Sequence, residues 1–506
     1  NPIEVSERVF EDMELDARTE DIVRKLKSKV EPPPTPSAVV EVSTSEVTIV
    51  EDELDIKLMP CTDVANAHRF YRYVSSGLKF QWFGERGRWL FWDGKKWDAE
   101  TGEQMAHKTA HAVALSIYHE IDAYTEKAAR TKMASWVEKS LSKQRLDAML
   151  TEARPYMGAR AHEFDKDPML LNVQNGVLDL RTGKRHPHDP ALMMTRISQA
   201  TFDPKAKAPR FEAFLERVLP EPEVRRHLQL WAGYSLTGMT MERKFRIDIG
   251  DRARNGKSTL YNVMLALLGD YGATTLFDTF GSRRDDQQET PKNGLAALVG
   301  KRLVVAIESA QNFKLNVNLV KSISGNDPIT CRFLFKEFFT YTPQFKVWLA
   351  SNNPPRISDD NNAIWDRMQR TDWNIRIGEE EEVKGLSNII VAEELSGILN
   401  WALEGCLEWQ RLGNLPMPLE VERATKDYRE TEFILSEFID EMCEKAEVNT
   451  AHDDLYIRYK IWYMASGQET GKQLTKYKFG QILAQRFTRV KVQGVSAFKG
   501  VRVRKS

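Results

Sequence analysis

Cysteine is scarce in this sequence, and its placement excludes several kinds of protein. The 506 residues include four cysteines, none of them in a Cys-x-x-Cys pair: Cys61, Cys331, Cys406 and Cys443. Structural zinc sites and disulfide-stapled folds both need cysteines in closely spaced sets. We therefore expect neither kind of site, and the pattern indicates a protein of the reducing cytoplasm.

Long apolar runs are also missing. No stretch approaches the roughly 20 apolar residues that cross a bilayer, so we predict no membrane contact. A chain of 506 residues is too long for one hydrophobic core, which predicts two to four domains. The chain begins with Asn1 rather than Met, and we expect a truncated piece with a partner domain missing upstream.

Charge is balanced overall but unevenly distributed. Residues 1–60 carry fifteen Asp/Glu against seven Lys/Arg and include three consecutive prolines from Pro32. This composition predicts a helix at most, over Pro2–Val30, followed by a disordered acidic tether. Leu455–Ser506 carries twelve Lys/Arg against one acid. Such an excess indicates contact with a polyanion, most plausibly nucleic acid.

The basic end also shows the apolar spacing of folded helices, which argues against a solvated basic tail. We predict two helices, the second over Thr475–Phe487, and then a short hairpin of Val490–Gly494 with Gly500–Arg504. This order is typical of a winged-helix module, in which the second helix enters a DNA groove and the wing meets phosphates. The basic residues that we expect to contact DNA are Lys476, Lys478, Arg486 and Arg489.

A phosphate-binding loop is the most informative motif. Phe245–Gly250 reads as a strand, Asp251–Thr259 as a tight loop with Gly-Lys-Ser, and Thr259–Leu268 as a helix. Such loops surround a triphosphate with backbone N–H groups, while the lysine reaches the β/γ-phosphates and the serine binds Mg²⁺. The predicted ATP-contacting residues are Gly250, Arg254, Asn255, Gly256, Lys257, Ser258 and Thr259.

The loop departs from the usual pattern in two places. Asp251 occupies the position of the first glycine, which lies one residue earlier at Gly250. The polar Asp248 stands within the strand, and both departures argue for weaker phosphate affinity. The alternative reading is an ordinary Gly-Lys-Ser turn. We expect Lys257 to be an exposed loop charge whose removal leaves the fold intact.

Two further apolar runs end in polar side chains. Arg302–Glu308 ends in a carboxylate, and Phe345–Pro355 ends in the paired amides Asn352 and Asn353 and a proline stop. Both read as strands buried on both faces of a parallel sheet, with ligands at their carboxyl ends. Glu308 and Asn352 are thus placed to complete a Mg²⁺ site with Ser258 and to orient an attacking water.

The region before the loop predicts a separate α+β domain. Phe80–Trp97 reads as short strands, whose tryptophans (Trp82, Trp89, Trp92 and Trp97) could stack on single-stranded bases but are better explained by core packing. The remaining predicted elements are helices over Gln104–Thr125, Met133–Leu150 and within Phe211–Gly238, and a hairpin at Leu178–Lys184.

Together these motifs resemble one family. The series Asn255–Thr259, Leu303–Glu308, Lys321–Ile329 and Leu349–Pro355 is similar to superfamily 3 helicases. It resembles most closely the phage/plasmid primase–helicase family that includes the poxvirus primase–helicase. Asn172–Gly183 resembles the domain that precedes the helicase in that family. Leu455–Tyr459 with Trp462 resembles its C-terminal winged helix.

The resemblance implies a hexameric ring of AAA+ domains that moves along single-stranded DNA by hydrolysing ATP at subunit interfaces. It implies that Lys257 and Ser258 bind phosphates and Mg²⁺, that Glu308 activates water, and that Asn352 senses the γ-phosphate. Ile329–Tyr341 matches the hairpin that projects into the ring channel. Its expected DNA contacts are Arg332 and Lys336.

Ala363–Arg370 matches the segment that supplies an arginine to the ATP of the neighbouring subunit. Where the family commonly shows adjacent arginines, Asp366 precedes Arg367. We favour Arg367 as this finger, with Arg370 as the alternative.

The expected fold class is α/β and multidomain. The predicted segments are an acidic tether (1–60), a mixed α+β domain (61–205), a helical collar for oligomerisation (206–243), a central AAA+ P-loop ATPase domain with a parallel sheet (244–415) and a basic winged helix (416–506). We expect an ATP- and Mg²⁺-dependent replicative DNA helicase of a phage, plasmid or mobile element, acting in the bacterial cytoplasm. The alternative is a nucleotide-gated DNA-binding initiator or loader with little unwinding. No strand carries a plausible Asp-x-Asp pair, so any primase–polymerase domain is expected upstream of Asn1.

Overall fold

The computed structural model describes residues 59–75, 77, 79–250, 254–281, 293–307, 314–357, 362–466, 473–484 and 486–504. The predictions for the acidic tether, Asp251 and Glu308 lie outside these residues. The chain forms two compact units. One comprises the chain up to residue 166 together with 189–196, and the other comprises 167–188 together with the chain from 197 onward.

The first unit combines helices with a small mixed sheet. Its helices are α1 (Asp63–Ser75), α2 (Gly102–Ser116), α3 (Lys127–Ser140) and α4 (Lys143–Ala153), and its strands are β1 (Phe80–Phe83), β2 (Arg88–Trp92), β3 (Trp97–Asp98) and β4 (Gly158–Ala159). The strand order is β3-β2-β1-β4, with β1 antiparallel to β2 and parallel to β4. Trp89 and Trp97 are buried, as core packing predicts. The single helix predicted over Met133–Leu150 is interrupted at Ser142, whose extended backbone starts α4.

The second unit contains the remaining elements. Its strands are β5 (Leu170–Val173), β6 (Gly176–Asp179), β7 (Lys184–His186), β8 (Phe245–Ile249), β9 (Gly272–Leu276), β10 (Leu303–Ile307), β11 (Ile329–Cys331), β12 (Phe339–Tyr341), β13 (Lys346–Ser351), β14 (Met368–Asp372), β15 (Cys443–Ala451), β16 (Thr488–Val492) and β17 (Val495–Val503). Its helices are α5 (Pro209–Val218), α6 (Pro222–Leu236), α7 (Lys257–Leu268), α8 (Asn293–Ala296), α9 (Val317–Gly325), α10 (Asn362–Trp365), α11 (Leu386–Leu412), α12 (Leu419–Met442), α13 (His452–Ala465) and α14 (Lys476–Leu483).

A parallel five-stranded sheet forms the centre of this unit and confirms the predicted sheet. Its order is β14-β8-β13-β10-β9. Side chains alternate between two cores, because successive residues of a strand face opposite sides. Leu303 and Val305 of β10 face the core that includes α5, α6, α7 and α11, whereas Val304 and Ala306 face the core that includes α9. Both faces are therefore covered.

The C-terminal part builds its own core around the end of α12. Phe438 of α12 packs with α13, α14 and β17, and a sheet of order β15-β17-β16 closes the module. The two predicted helices and a terminal hairpin are present. The hairpin turns at Gln493–Gly494, where both residues have positive φ, so β17 begins five residues earlier than predicted. Strand β15 was not predicted.

Candidate nucleotide site at the carboxyl edge of the parallel sheet

The phosphate loop leaves the sheet at the edge where the parallel strands end. The Gly250 N–H donates to the Ser351 carbonyl at 3.2 Å, which fixes the start of the loop beside the end of β13. Asn352 follows directly and is exposed, and β10 ends at Ile307 beside β13. Carboxyl ends of parallel strands are where open α/β sheets bind ligands. The structure thus brings the loop and Asn352 together, and Glu308 lies outside the described residues.

Lys257 is buried, with 7% of its surface exposed, and opens α7. Its Nζ donates to the Gly250 carbonyl at 3.1 Å. The expectation of an exposed loop charge is therefore wrong, because the aliphatic stem is packed and the ammonium is folded back onto the loop. The same geometry explains the early glycine. A Cβ on Gly250 would lie 2.6 Å from Lys257 Nζ and 2.2 Å from Asn255 Nδ2.

The second glycine of the loop packs the turn against α5. Gly256 has φ +88°, and a Cβ there would lie 2.8 Å from Val218 Cγ1 and 3.0 Å from Phe214 Cε2. Both the positive φ and the close approach exclude larger residues. Asn255 is buried beside it, and its Oδ1 accepts from the Lys257 N–H at 3.4 Å. The turn is therefore held by packing before any ligand binds.

The other predicted loop residues are more open. Arg254 has φ +62° and pairs with two acids, Glu379 at 2.9 Å and Glu382 at 3.4 Å. Ser258 is exposed and Thr259 half-buried, on the first turn of α7. An exposed serine hydroxyl at this position is free of the core and suits a metal ligand.

A cavity of about 440 Å³ opens at this edge. It is lined by Gly250, Asn352 and Asn353 and, from β14, by Arg370 and Asp372. Arg370 Nε lies 2.6 Å from Asp372 Oδ1, and its guanidinium lies 5.4 Å from the Tyr428 ring centroid. Two side-chain amides and an Arg–Asp ion pair thus line one space beside Gly250, which suits a polar ligand.

Asp248 organises the sheet below the loop. It is fully buried and accepts from Tyr261 Oη at 2.8 Å, from Trp373 Nε1 at 2.9 Å and from Arg246 Nε at 3.1 Å. Burial, and then the charge of Asp248, raises the pKa of Tyr261 above its ordinary value, so the hydroxyl stays a donor. The carboxylate ties β8 to α7 and to the residue after β14. The sequence interpretation that Asp248 weakens phosphate binding did not foresee this role.

A second buried polar cluster lies next to it. His227 Nε2 lies 2.8 Å from Gln369 Oε1, which also accepts from Trp231 Nε1 at 2.7 Å. Burial, and then the charge of Arg246, lowers the pKa of His227 to about 3. The imidazole is therefore neutral at neutral pH and donates to Gln369, joining α6 to β14.

The two candidate finger arginines differ in position: Arg367 directly precedes β14, and Arg370 is the middle residue of this strand. Arg370 lines the cavity of its own chain, a position that fits a role in that chain's site rather than in a neighbour's. Arg367 precedes β14, where its carbonyl accepts from the N–H of Phe245 at 2.8 Å. Five strand residues separate this point from Gly250, roughly 16 Å at about 3.3 Å per residue. Arg367 also donates to Ser324 Oγ at 3.1 Å and to the Lys321 carbonyl.

The predicted hairpin is present as β11 and β12, paired from Ile329 to Tyr341. Arg332 lies over the Phe338 ring at 4.4 Å, and Lys336 is exposed at the turn. Phe335 was not singled out from the sequence, yet it is 94% exposed with φ +61°. An exposed aromatic ring at a hairpin tip, outside any hydrophobic core, indicates a contact surface.

The basic residues of the C-terminal module differ in accessibility. Lys476 is exposed and pairs with Asp453 at 2.6 Å, and Arg489 is exposed and donates to Ser496 Oγ. The prediction that Arg486 contacts DNA does not fit the structure. Its side chain is 8% exposed and pairs with buried Glu432 at 3.1 Å. Its guanidinium neutralises a buried carboxylate, so it is not accessible to a DNA phosphate.

Metal and membrane features are limited within the residues described above. Among them no group of three or more His, Cys, Asp or Glu side chains could hold a metal ion, and none of the four cysteines is in a disulfide. In the same part of the chain, helices long and apolar enough to cross a bilayer are absent.

Comparisons with known proteins relate this geometry to a family. The profile of the D5 N terminal like family matches residues 67–220, and that of a family of unknown function, DUF5906, matches residues 249–369. A protein of Acanthamoeba polyphaga mimivirus, L207/L206, whose name includes the word helicase, is 26% identical over 334 residues. Another helicase-named protein, 121R of Invertebrate iridescent virus 3, is 23% identical over 359 residues. These matches support the resemblance to the D5-like primase–helicase family.

The family resemblance predicted from the motifs is thus confirmed. The alignments cover 61% and 64% of this chain but 34% and 38% of the two relatives, so the chain spans about a third of their length. The primase-named protein C962R of African swine fever virus (isolate Warthog) is 22% identical, in an alignment that covers 60% of this chain and 34% of C962R. The apo structure of the NrS-1 C terminal region covers 85% of this chain and 98% of that one, at 10% identity and a TM-score of 0.44.

Proposed function

We propose that this chain is the ATP-driven motor of a replicative DNA helicase, assembled as a hexameric ring of AAA+ domains on single-stranded DNA. One observation carries the proposal: Gly250 and Asn352 line one cavity where the parallel strands end, and the Lys257 ammonium is hydrogen-bonded to the Gly250 carbonyl. Relatives named as helicases and primases support the reading. In this proposal Lys257 holds the β/γ-phosphates of ATP, Ser258 and Glu308 hold Mg²⁺, and Asn352 contacts the γ-phosphate.

The resting position of Lys257 fits this role. Its ammonium donates to a neutral carbonyl, Gly250 O, at the mouth of the loop. A phosphate oxygen is a charged acceptor, and charge-assisted hydrogen bonds are roughly twice as strong as neutral ones. The stem of Lys257 is already ordered by burial, so turning the ammonium toward a phosphate costs little side-chain entropy.

Substitution at two positions tests the site. Lys257→Met keeps the buried stem and removes the charge, so ATP binding and DNA-stimulated hydrolysis are expected to be lost while the thermal transition stays close to that of the wild type. Glu308→Gln is expected to bind ATP and to fail in hydrolysis, because the amide cannot activate water. Lys205→Ala, an exposed lysine outside the cavity, is the matched control. Wild-type turnover by a folded Lys257→Met protein would refute the proposal.

The second candidate is a nucleotide-gated DNA-binding initiator or loader. It is favoured by one observation, that residues of the C-terminal basic module line the same cavity as Asn352. Both candidates bind ATP and DNA. A strand-displacement assay with a forked duplex separates them, because a helicase unwinds with continuing ATP turnover and a loader binds without processive unwinding. Mass measurement with ATP present tests the hexamer for both.

A further inference from the structure

Helix α14 reaches the candidate nucleotide cavity. Gly250 and Asn352 line this cavity, and three residues of the helix line it as well: Tyr477, Lys478 and Gln481. The same helix was predicted from sequence to enter a DNA groove. One helix therefore faces the place proposed for ATP.

The position of α14 is fixed by buried contacts rather than by a flexible linker. Helix α12 runs without interruption from the ATPase core to the C-terminal core, roughly 36 Å for its 24 residues. At its middle, Glu432 pairs with Arg486, three residues after α14, and both side chains are buried. The hydroxyl of Tyr428, one turn earlier, donates to the Pro355 carbonyl just beyond Asn352.

A buried ion pair locks its two elements together, because separating them would leave an unpaired charge in the interior. Burial raises the pKa of Glu432, and the Arg486 guanidinium opposes that rise. The α14 end of the module is thus anchored beside the strand end that carries Asn352.

The α14 side chains at the cavity have the chemistry of a nucleotide contact. Tyr477 is 71% exposed, and its hydroxyl accepts from Gln481 Nε2 at 2.9 Å, which orients the ring. Lys478 is exposed, one residue further along the helix. An aromatic face suits a nucleobase and an ammonium suits a phosphate.

We propose that α14 completes the nucleotide site of its own chain, with Lys478 binding the phosphates and Tyr477 packing on the base. This rests on the proposed ATP site. It follows that α14 cannot present these two residues to duplex DNA while a nucleotide lies beneath it. Nucleotide binding and duplex DNA binding by the C-terminal module then compete. By linkage, each ligand lowers the affinity for the other by the same factor.

Equilibrium binding to the full chain tests the contacts. Fluorescent ATP and inorganic tripolyphosphate, each with Mg²⁺, are titrated against the wild type, Lys478→Ala, Tyr477→Ala and Lys499→Ala, an exposed lysine on β17 outside the cavity. Lys478→Ala is expected to bind both ligands about tenfold more weakly, the scale of one charged hydrogen bond. Tyr477→Ala is expected to weaken ATP only, because tripolyphosphate has no base. Lys499→Ala is expected to match the wild type.

A competition experiment tests the consequence. A saturating non-hydrolysable ATP analogue should weaken duplex binding by the wild type and leave duplex binding by Lys257→Met unchanged. Wild-type ATP affinity in Lys478→Ala and Tyr477→Ala, with Lys257→Met unable to bind, would overturn the α14 proposal alone. Normal ATP binding by Lys257→Met would instead refute the ATP site itself. Duplex affinity of the wild type that does not respond to the analogue would overturn the predicted opposition.

Discussion

At the scale of single residues, the departures from the usual phosphate loop have structural reasons. Gly250 leaves room for the Lys257 ammonium, which a side chain there would displace. Asp248 looks misplaced in an apolar strand, yet three donors converge on its carboxylate. A polar residue in a core strand is tolerated when its hydrogen bonds are satisfied. These residues shape the loop from below.

The Asp248 cluster gives the first prediction. Asp248→Ala should lower the free energy of unfolding by roughly 3–5 kcal/mol, because it leaves Arg246 buried without its carboxylate. Chemical denaturation followed by tryptophan fluorescence measures the change. Asp427→Ala removes an exposed carboxylate of α12 and should stay within about 0.5 kcal/mol of the wild type.

Tyr261→Phe separates the members of the cluster. It removes one hydrogen bond and keeps the ring, so a loss of about 1 kcal/mol is expected. If Asp248→Ala cost no more than Tyr261→Phe, the carboxylate would not be the centre of the cluster.

At the scale of helices and strands, the elements that could be predicted are those with a simple sequence pattern. β10 and β13 read as nearly continuous apolar runs, and their parallel pairing followed from the polar residues at their ends; β8 was identified from the phosphate loop that follows it. Helix α11 was not predicted. It buries residues on several sides, including the consecutive Gly397, Ile398 and Leu399, because it packs against α5, α6 and α7 together. No single stripe marks such a helix.

Only those parts of the candidate site that belong to short sequence motifs could be predicted. Gly-Lys-Ser and the strand ends are read from neighbouring letters, so Lys257 and Asn352 were found. Arg370, the alternative candidate for the finger, lines a cavity of its own chain, and Tyr477, which lines the same cavity, was not singled out. Both depend on contacts between segments more than 50 residues apart in the sequence. Burial of Arg486 against Glu432 depends on tertiary packing in the same way.

The hairpin gives the second prediction. Phe335 at its tip is expected to stack on bases of single-stranded DNA, which is worth about 1–3 kcal/mol per base. Phe335→Ala should weaken binding of an oligothymidine at least fivefold and lower DNA-stimulated ATPase activity, with basal hydrolysis unchanged. Fluorescence anisotropy measures the affinity.

Two variants control for the hairpin result. Phe333→Ala serves as a structural comparison, because Phe333 stacks on Phe339 at 5.8 Å and supports the hairpin itself. Met464→Ala removes another exposed apolar side chain, on α13, and should bind DNA normally. Unchanged DNA affinity in Phe335→Ala would mean that the tip contacts something other than bases.

At the scale of the whole molecule, the proposed function depends on the distribution of charge and on assembly. The positive excess of the C-terminal end divides into exposed and internal parts, and only the exposed part can release counterions from DNA. Lys476→Ala and Arg489→Ala should each lower duplex affinity and reduce the slope of log affinity against log salt by about 1. Arg486→Ala should instead lower thermal stability, since it leaves Glu432 buried and unpaired.

Filter binding across a salt series checks the third prediction. The expected pattern separates exposed from internal cations within one module. A normal salt slope in Lys476→Ala and Arg489→Ala together would mean that duplex DNA binds elsewhere on the chain.

The last prediction concerns the ring. Arg367 lies at the amino end of β14, roughly 16 Å from the start of its own phosphate loop, and this distance fits the proposed role at the site of a neighbouring subunit. Arg367→Ala should therefore assemble and bind ATP, yet hydrolyse it on the order of a thousandfold more slowly. Mixing Arg367→Ala with Lys257→Met subunits should restore part of the ATPase activity, because some interfaces then join an intact loop to an intact arginine. Arg370→Ala should behave differently, because Arg370 lies in the same chain's cavity as the phosphate loop. Mixing Arg370→Ala with Arg367→Ala subunits should restore activity, whereas mixing Arg370→Ala with Lys257→Met subunits should not. Mixed rings that form but stay inactive would exclude Arg367 as the shared residue.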